Sequence, residues 1–181
     1  YYYFRALTRY QLNDLEGTLA DYGKALEINP SSALTYYNRA ILYSQIKDYE
    51  KAIKDYERVA ALNPNNILTY FNRAHLYYEL EDYKASIDDY AKAIEIFPQF
   101  ARAYLMRAQA YQKTGQMEEA RHDRRKGNQL IAMHDDNQNS AGNRTAWIDS
   151  TYFQKIIEFE SGFRKANIGP GKADKEAVPI E

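Results

Sequence analysis

The feature that most constrains this chain is a pattern of residues that recurs at intervals of 34. The small residue of the period recurs at four places, which are Ala6, Ala40, Ala74 and Ala108. Within one period, Tyr36, Ala40 and Tyr43 fall at i, i+4 and i+7, the spacing of one face of an α-helix. Ala52 and Tyr56 begin a second stripe in the other half of the period. Each period therefore predicts two helices that pack as an antiparallel hairpin.

Signals for the helix ends lie between and after these stripes. Asp48 is placed to cap the second helix by accepting a hydrogen bond from an amide of its first turn. Asn63-Pro64 should end that helix, because the residue before a proline is disfavoured in helical conformation. The recurring alanines predict close crossing of the two helices, since a large side chain on one helix must meet a small one on the other.

These residues resemble the tetratricopeptide repeat (TPR), a two-helix repeat of the same length. The matching positions in the second copy are Tyr36, Ala40, Tyr43, Ala52, Tyr56 and Pro64. The copy departs from the pattern at Arg39, which replaces Leu, and tyrosines replace Trp and Phe. The resemblance implies an all-α fold, a right-handed α-solenoid of antiparallel helix hairpins (the TPR superhelix). It also implies a scaffold for protein partners.

The repeats divide the chain into segments, to which the carboxyl-terminal part adds an extra helix. The predicted repeats are residues 1–32, 33–66, 67–100 and 101–134, followed by a polar linker at 135–146. Residues 147–166 predict an amphipathic helix that docks on the edge of the fourth repeat, in the groove described below or on another subunit, and residues 167–181 predict a flexible tail. Because residue 1 falls inside a repeat, we expect the chain to be part of a longer protein.

The fourth repeat departs from the pattern in its second helix. Arg121, Arg124 and Gly127 stand where the third repeat has Ile, Tyr and Ala, so much of the apolar stripe is predicted to be lost. With Arg125 and Lys126 the arginines could form a basic patch for an acidic partner. The interpretation that we favour is a solubilising end to the array, because the outer face of a terminal repeat meets water.

A charged pair also recurs in every period. The arginines are Arg5, Arg39, Arg73 and Arg107, and the aspartates are Asp21, Asp55, Asp89 and Asp123. An unpaired charge beside a packing stripe would cost several kcal/mol. We therefore predict Arg–Asp ion pairs within or between repeats, and contacts of these arginines with a ligand are the less favoured interpretation.

Composition narrows the function classes. The net charge of −1 gives no reason to expect nucleic acid as a partner, and no apolar run is long enough to span a membrane. The absence of cysteine excludes disulfides and thiolate metal sites. We find no targeting segment and expect a soluble protein whose compartment stays open.

In TPR structures the first helices line a concave groove, and the resemblance assigns positions of this chain to it. The name groove is used below for the surface formed by these residues: Tyr3, Leu7, Tyr10, Tyr37, Asn38, Ile41, Phe71, Asn72, His75, Tyr78, Arg102, Leu105 and Gln109. It is aromatic and apolar in the first repeats and more polar toward the fourth. Such a surface suits an apolar or amphipathic segment of a partner, unless several of the rings pack only between repeats.

Some TPR proteins hold the acidic tails of heat-shock chaperones with a clamp of Lys, Asn, Asn, Lys and Arg. Laid on the first three repeats, that pattern keeps only Asn38. Laid one repeat later, it keeps Asn72 and has Arg102 in place of a lysine. The clamp is therefore absent, and chaperone tails are not predicted as partners.

An enzyme is not predicted. The sequence has no glycine-rich phosphate loop and no recognisable nucleophile with its base, and His134-Asp135-Asp136 is a weak metal candidate by spacing alone. We therefore predict no cofactor, no metal site and a non-catalytic interaction scaffold that binds a peptide or helix in the groove. The alternatives are a structural spacer or dimerisation module within a larger protein, homodimers included, and an accessory domain of an enzyme encoded elsewhere.

Overall fold

The computed structural model describes the backbone of residues 1–138 and the side chains of residues 1–133. This part of the chain consists of eight α-helices and contains no strand. The helices are α1 (Tyr2–Gln11), α2 (Leu15–Ile28), α3 (Ala33–Gln45), α4 (Tyr49–Leu62), α5 (Ile67–Glu79), α6 (Tyr83–Ile96), α7 (Ala101–Lys113) and α8 (Met117–Gln138). Each helix packs against the next one along the chain. The predicted all-α solenoid of helix hairpins is confirmed, with odd-numbered first helices and even-numbered second helices.

Each hairpin turns through one residue in the left-handed conformation. These residues again recur at the repeat interval and are Asn13, Lys47, Glu81 and Gly115, with φ of 60°, 61°, 61° and 79°. Only the fourth is a glycine, the residue that adopts positive φ without a steric penalty. The turns of the second and third repeats therefore hold a strained lysine and a strained glutamate.

We predict that Lys47→Gly stabilises the protein by about 1 kcal/mol, because left-handed backbone costs a non-glycine residue about 1–2 kcal/mol and the flexibility of glycine offsets part of that gain. The matched control is Lys54→Gly in the exposed middle of α4, which should lower the free energy of unfolding by about 1 kcal/mol. Urea unfolding measures both variants. Changes of the same sign would contradict the role assigned to the turn.

Side chains at the helix starts satisfy free backbone amides in most repeats. The capping residues that accept amide hydrogen bonds are Asp14, Ser32, Asn66 and Asp82. Asp48 occupies the N-cap position of α4 as predicted, but the predicted hydrogen bond is not formed. Its Oδ2 instead accepts a hydrogen bond from Lys51 Nζ at 2.6 Å, and this contact lowers the pKa of Asp48.

Small residues lie where the helices of each hairpin cross. The four in-register alanines, Ala6, Ala40, Ala74 and Ala108, are all buried. Opposite them on the second helices stand other small buried residues, which are Thr18, Ala52, Ser86 and Ala120. In the second hairpin, Ala40 and Ala52 lie in a buried cluster with Ile53 and Tyr56, to which α5 of the next hairpin adds Leu76. The predicted reason for the alanines is confirmed.

The last helix is longer than the other second helices and runs to Gln138. Prolines follow the earlier second helices at Pro30, Pro64 and Pro98, but Ala132 stands at the corresponding place, so nothing in the sequence ends the helix there. Helix therefore occupies the first four residues of the segment predicted as a linker, 135–138. The rest of that linker, the predicted helix at 147–166 and the predicted tail at 167–181 lie outside the described residues.

Gly127 is a packing position, although it is among the residues by which the fourth repeat is predicted to lose its apolar stripe. It is buried in α8, and a Cβ added there would lie 2.7 Å from Leu105 Cδ2 and 3.1 Å from the carbonyl oxygen of Ala101. The missing side chain lets α8 approach α7, and Leu105 fills the space. The glycine therefore packs a leucine closely against the helix backbone.

Candidate functional site

The recurring charges form ion pairs within each hairpin. Arg39 donates hydrogen bonds from Nε and Nη2 to the two carboxylate oxygens of Asp55, both at 2.7 Å. The other three pairs, Arg5–Asp21, Arg73–Asp89 and Arg107–Asp123, have the same two-bond geometry at 2.6–3.0 Å. The predicted ion pairs are confirmed, and every one lies within a single repeat.

Tyrosine rings enclose the guanidinium groups. The Cζ of Arg39 lies 5.6 Å and 5.8 Å from the ring centroids of Tyr36 and Tyr43 on the same helix. Arg73 and Arg107 lie between equivalent pairs of rings at 5.7–6.0 Å. Because rings and a carboxylate surround these arginines, they contribute to the packing of the hairpin.

The first repeat modifies this arrangement. Arg9 stands where the later repeats have the second tyrosine, and its Nη1 lies 3.2 Å from Oδ2 of Asp21. The hydrogen bond from Arg5, with the additional positive charge of Arg9, holds the pKa of Asp21 below its ordinary value. The extra cation replaces a ring in this hairpin.

The leading groove rings pack inside their own repeats. Tyr3 lies against Tyr22 with ring centroids 6.1 Å apart, and Tyr37 lies against Tyr56 at 5.7 Å. Phe71 is buried and contacts the rings of Tyr90 at 5.5 Å and Phe100 at 4.8 Å. The fourth member is Leu105, which packs over Gly127. These four side chains of the first helices pack against the second helices of their repeats. Phe71 is buried, so it exposes little surface to a partner.

Hydrogen bonds connect the first helices of successive repeats. Asn38 Nδ2 donates to the hydroxyl of Tyr3 at 2.8 Å, and Asn72 Nδ2 donates to the hydroxyl of Tyr37 at 3.0 Å. The next pair in register is Phe71 and Met106, in which both partners are apolar. The groove asparagines thus connect repeats one to three.

The remaining groove residues differ in exposure. Leu7 packs beside a buried cluster of Ala6, Tyr22 and Leu42, whereas the hydroxyl of Tyr10 donates to Gln45 Oε1 at 2.9 Å. Tyr78 packs against Tyr83 with ring centroids 5.4 Å apart. The guanidinium of Arg102 lies 5.5 Å from the centre of the Phe71 ring. The exposed members of the set are Tyr10, His75, Arg102 and Gln109.

A pocket of about 270 Å³ opens between α3 and α5. Its lining contains three predicted groove residues, Ile41, Asn72 and His75, together with four others, Ser44, Gln45, Tyr56 and Leu76. Burial raises the pKa of Tyr56, and hydrogen-bonding groups of Ser44 and Asn72 oppose that rise. The pocket therefore combines an apolar base with amide, hydroxyl and imidazole groups.

Ser44 lies one helical turn beyond Ile41 on the predicted groove stripe but is not among the groove residues named above, and Gln45, Tyr56 and Leu76 are not predicted to line the groove. Tyr56 belongs to the repeat pattern and is predicted only as a packing residue, and no feature of the sequence singles out Leu76. A usable signal was a break in the repeat, since Ser44 stands where the neighbouring repeats have Tyr10 and Tyr78. The sequence does not show that residues of α5 lie opposite Ser44, so the role of Ser44 in the pocket follows only from the structure.

The basic residues of α8 lie mostly on the surface. Arg121 pairs with the exposed Glu118 at 2.6 Å, and Arg124 and Arg125 are exposed. Among the residues described, no group of three or more histidine, aspartate or glutamate side chains is placed to hold a metal ion. The side chains of the weak candidate at 134–136 lie outside the described residues. None of the described helices has both the length and the hydropathy needed to cross a membrane.

Models of known protein families match most of the repeat array. A family model described as "Tetratricopeptide repeat" matches residues 39–110, and a second model with that description matches residues 101–127. A model described as "TPR repeat" matches residues 6–47. No curated protein sequence matches this chain.

Solved structures of MamA share the fold. The structure "MamA MSR-1 C2" is 19% identical with a TM-score of 0.67, covering 74% of this chain and 76% of that one. "Crystal structure of MamA" is 20% identical with a TM-score of 0.66, covering 88% and 96%. "MamA RS-1 ArsTM double mutant" is 19% identical with a TM-score of 0.67, covering 91% and 95%. At these identities the likeness concerns the fold alone.

Proposed function

This chain belongs to the tetratricopeptide repeat family, and we propose that it binds a peptide segment of a partner protein in the groove. Repeat arrays of this family are typically non-catalytic scaffolds for protein interactions. The observation that carries this proposal is the open pocket between α3 and α5, on the face where successive first helices meet. Binding therefore centres on the second and third repeats.

The chemistry of this surface favours an apolar or amphipathic peptide. Ile41 and Leu76 provide apolar contact in the pocket, and the nearby amides of Gln45 and Asn72 suit hydrogen bonds with a peptide backbone. Partner-binding surfaces obtain most of their affinity from a few desolvated side chains surrounded by weaker polar contacts. Among the described residues that line the pocket there is no lysine, arginine or carboxylate, so an acidic tail finds no counter-charge from them.

The proposal is tested by selecting peptides from a random library on the full chain and measuring their affinity for two isoleucine variants. Ile41→Ala removes apolar contact in the pocket and should weaken binding by about tenfold, roughly 1.4 kcal/mol. The matched control is Ile46→Ala at an exposed hairpin turn, which should leave the affinity unchanged.

Unfolding curves of both variants are recorded beside the affinities, so that a loss of binding is not mistaken for a loss of folding. If Ile46→Ala weakened peptide binding and Ile41→Ala did not, the binding surface would lie at the hairpin turns and not in the groove. If the chain retained no more peptide than an unrelated helical protein does, peptide binding would be overturned and a spacer or dimerisation module would be favoured. Sedimentation would then distinguish a monomeric spacer from a dimer.

A further inference from the structure

The pocket between α3 and α5 coincides with a local change in the repeat. Tyr10 and Tyr78 occupy the position of Ser44 in the repeats before and after. The buried tyrosines of those two hairpins are Tyr22 and Tyr90, whose pKa burial raises, and the nearby hydroxyls of Tyr10 and Tyr78 add to that rise. In the second repeat the corresponding buried residue is Tyr56, and the equivalent position beside it holds the small Ser44. A ring present in the adjoining repeats is therefore missing where the pocket opens.

The neighbouring rings show which contacts such a position supports. Tyr78 packs edge-on against Tyr83 with ring centroids 5.4 Å apart. The hydroxyl of Tyr10 donates a hydrogen bond to Gln45, which also lines the pocket. Tyr49 corresponds to Tyr83 in the second repeat and packs beside the cluster that contains Tyr56. The second repeat thus keeps aromatic neighbours while lacking the ring that would cover them.

The pocket has the size and chemistry of a side-chain site. Its volume of about 270 Å³ is below the roughly 300–1,000 Å³ of sites that enclose a drug-sized molecule. The apolar contacts come from Ile41 and Leu76, whereas Ser44, Gln45 and Asn72 supply uncharged hydrogen-bonding groups. A ring with a polar tip satisfies both parts, because its body is desolvated while its hydroxyl finds a partner.

We propose that this pocket accepts one tyrosine side chain of the bound peptide, which takes the place of the ring missing at position 44. This assignment rests on the proposed peptide-binding function and specifies what that function recognises. The remaining contacts of the peptide then supply affinity along the first helices, and the tyrosine fixes its register.

The experiment supplies the missing ring by a substitution at position 44 of the chain itself. Ser44→Tyr is expected to fold, because the repeats before and after have a tyrosine at this position, in hairpins whose buried Tyr22 and Tyr90 correspond to Tyr56. It should weaken a selected peptide at least about tenfold, and changing the tyrosine of that peptide to alanine should weaken it equally. The two changes together should cause no further loss, because they remove one interaction. The matched control is Ser31→Tyr in the exposed loop before α3, which should bind normally.

A second measurement uses p-cresol, the tyrosine side chain without its backbone, as the probe. In methyl NMR spectra it should shift Ile41 and Leu76 saturably in the wild-type chain and in Ser31→Tyr, and should not shift them in Ser44→Tyr. Peptides that depend on Ile41 but lack an enriched tyrosine, or that bind Ser44→Tyr with full affinity, would overturn the tyrosine assignment and leave peptide binding intact. Saturable p-cresol shifts without any retained peptide would instead overturn the peptide-binding function.

Discussion

Replacing Arg73 with leucine is expected to lower the free energy of unfolding by about 3–5 kcal/mol, because it leaves the carboxylate of Asp89 without its partner in a largely buried place. The side chains of Arg73 and Asp89 are only 15% and 11% exposed, and two hydrogen bonds join them. Chemical denaturation of the variant measures the loss.

The matched control is Arg121→Leu, which breaks a pair on the outside of α8. The side chains of Arg121 and Glu118 are 67% and 79% exposed, so the expected loss is under about 1 kcal/mol. Arg73→Leu and Asp89→Leu should also be strongly non-additive, since the double variant removes both buried charges together. Additive losses would show that the two residues are not coupled, in contradiction of the pairing described above.

Gly127→Ala is expected to destabilise the protein by about 1–3 kcal/mol, although this change usually stabilises a helix. The added Cβ would lie 2.7 Å from Leu105 and 3.1 Å from the backbone oxygen of Ala101, so α7 and α8 would have to move apart. Thermal and urea unfolding both report the change, and a variant of intact helicity with a lower transition midpoint is the expected result.

The same substitution at Gly23 serves as its control. Gly23 also lies inside a helix, α2, but nothing approaches within 4 Å of the place where its Cβ would be. Gly23→Ala should therefore raise the free energy of unfolding by about 0.5–1 kcal/mol. A gain in stability from both alanines would mean that the space beside Leu105 is larger than described.

The architecture could be predicted from the sequence, because one pattern of small and aromatic residues recurs at a fixed interval. Ala40 and Ala74 indicated where helices cross, and the recurrence of Arg73 and Asp89 in every copy indicated a pair. Such features depend on spacing along a helix and on the cost of burying a lone charge, both of which can be read from a sequence.

Features that depend on the distance between helices were not predictable in the same way. The carboxylate of Asp48 can bond either an amide or Lys51, and the sequence does not show which contact is closer. Gly127 suggested a lost side chain until Leu105 was seen to occupy its place. Leading groove rings such as Tyr37 pack against the second helix of their repeat, whereas Ser44 lines the pocket.

The central claim, that partners bind in the groove, is tested most directly by adding a selected peptide to the ¹⁵N-labelled full chain and recording backbone amide shifts. The largest shifts should fall on α3 and α5 around Ile41 and His75, with smaller ones on α1 and on α4, whose Tyr56 lines the pocket, and little change on α2 and α6. Saturation binding accompanied by its largest shifts on the second helices, with α3 and α5 unmoved, would contradict the claim.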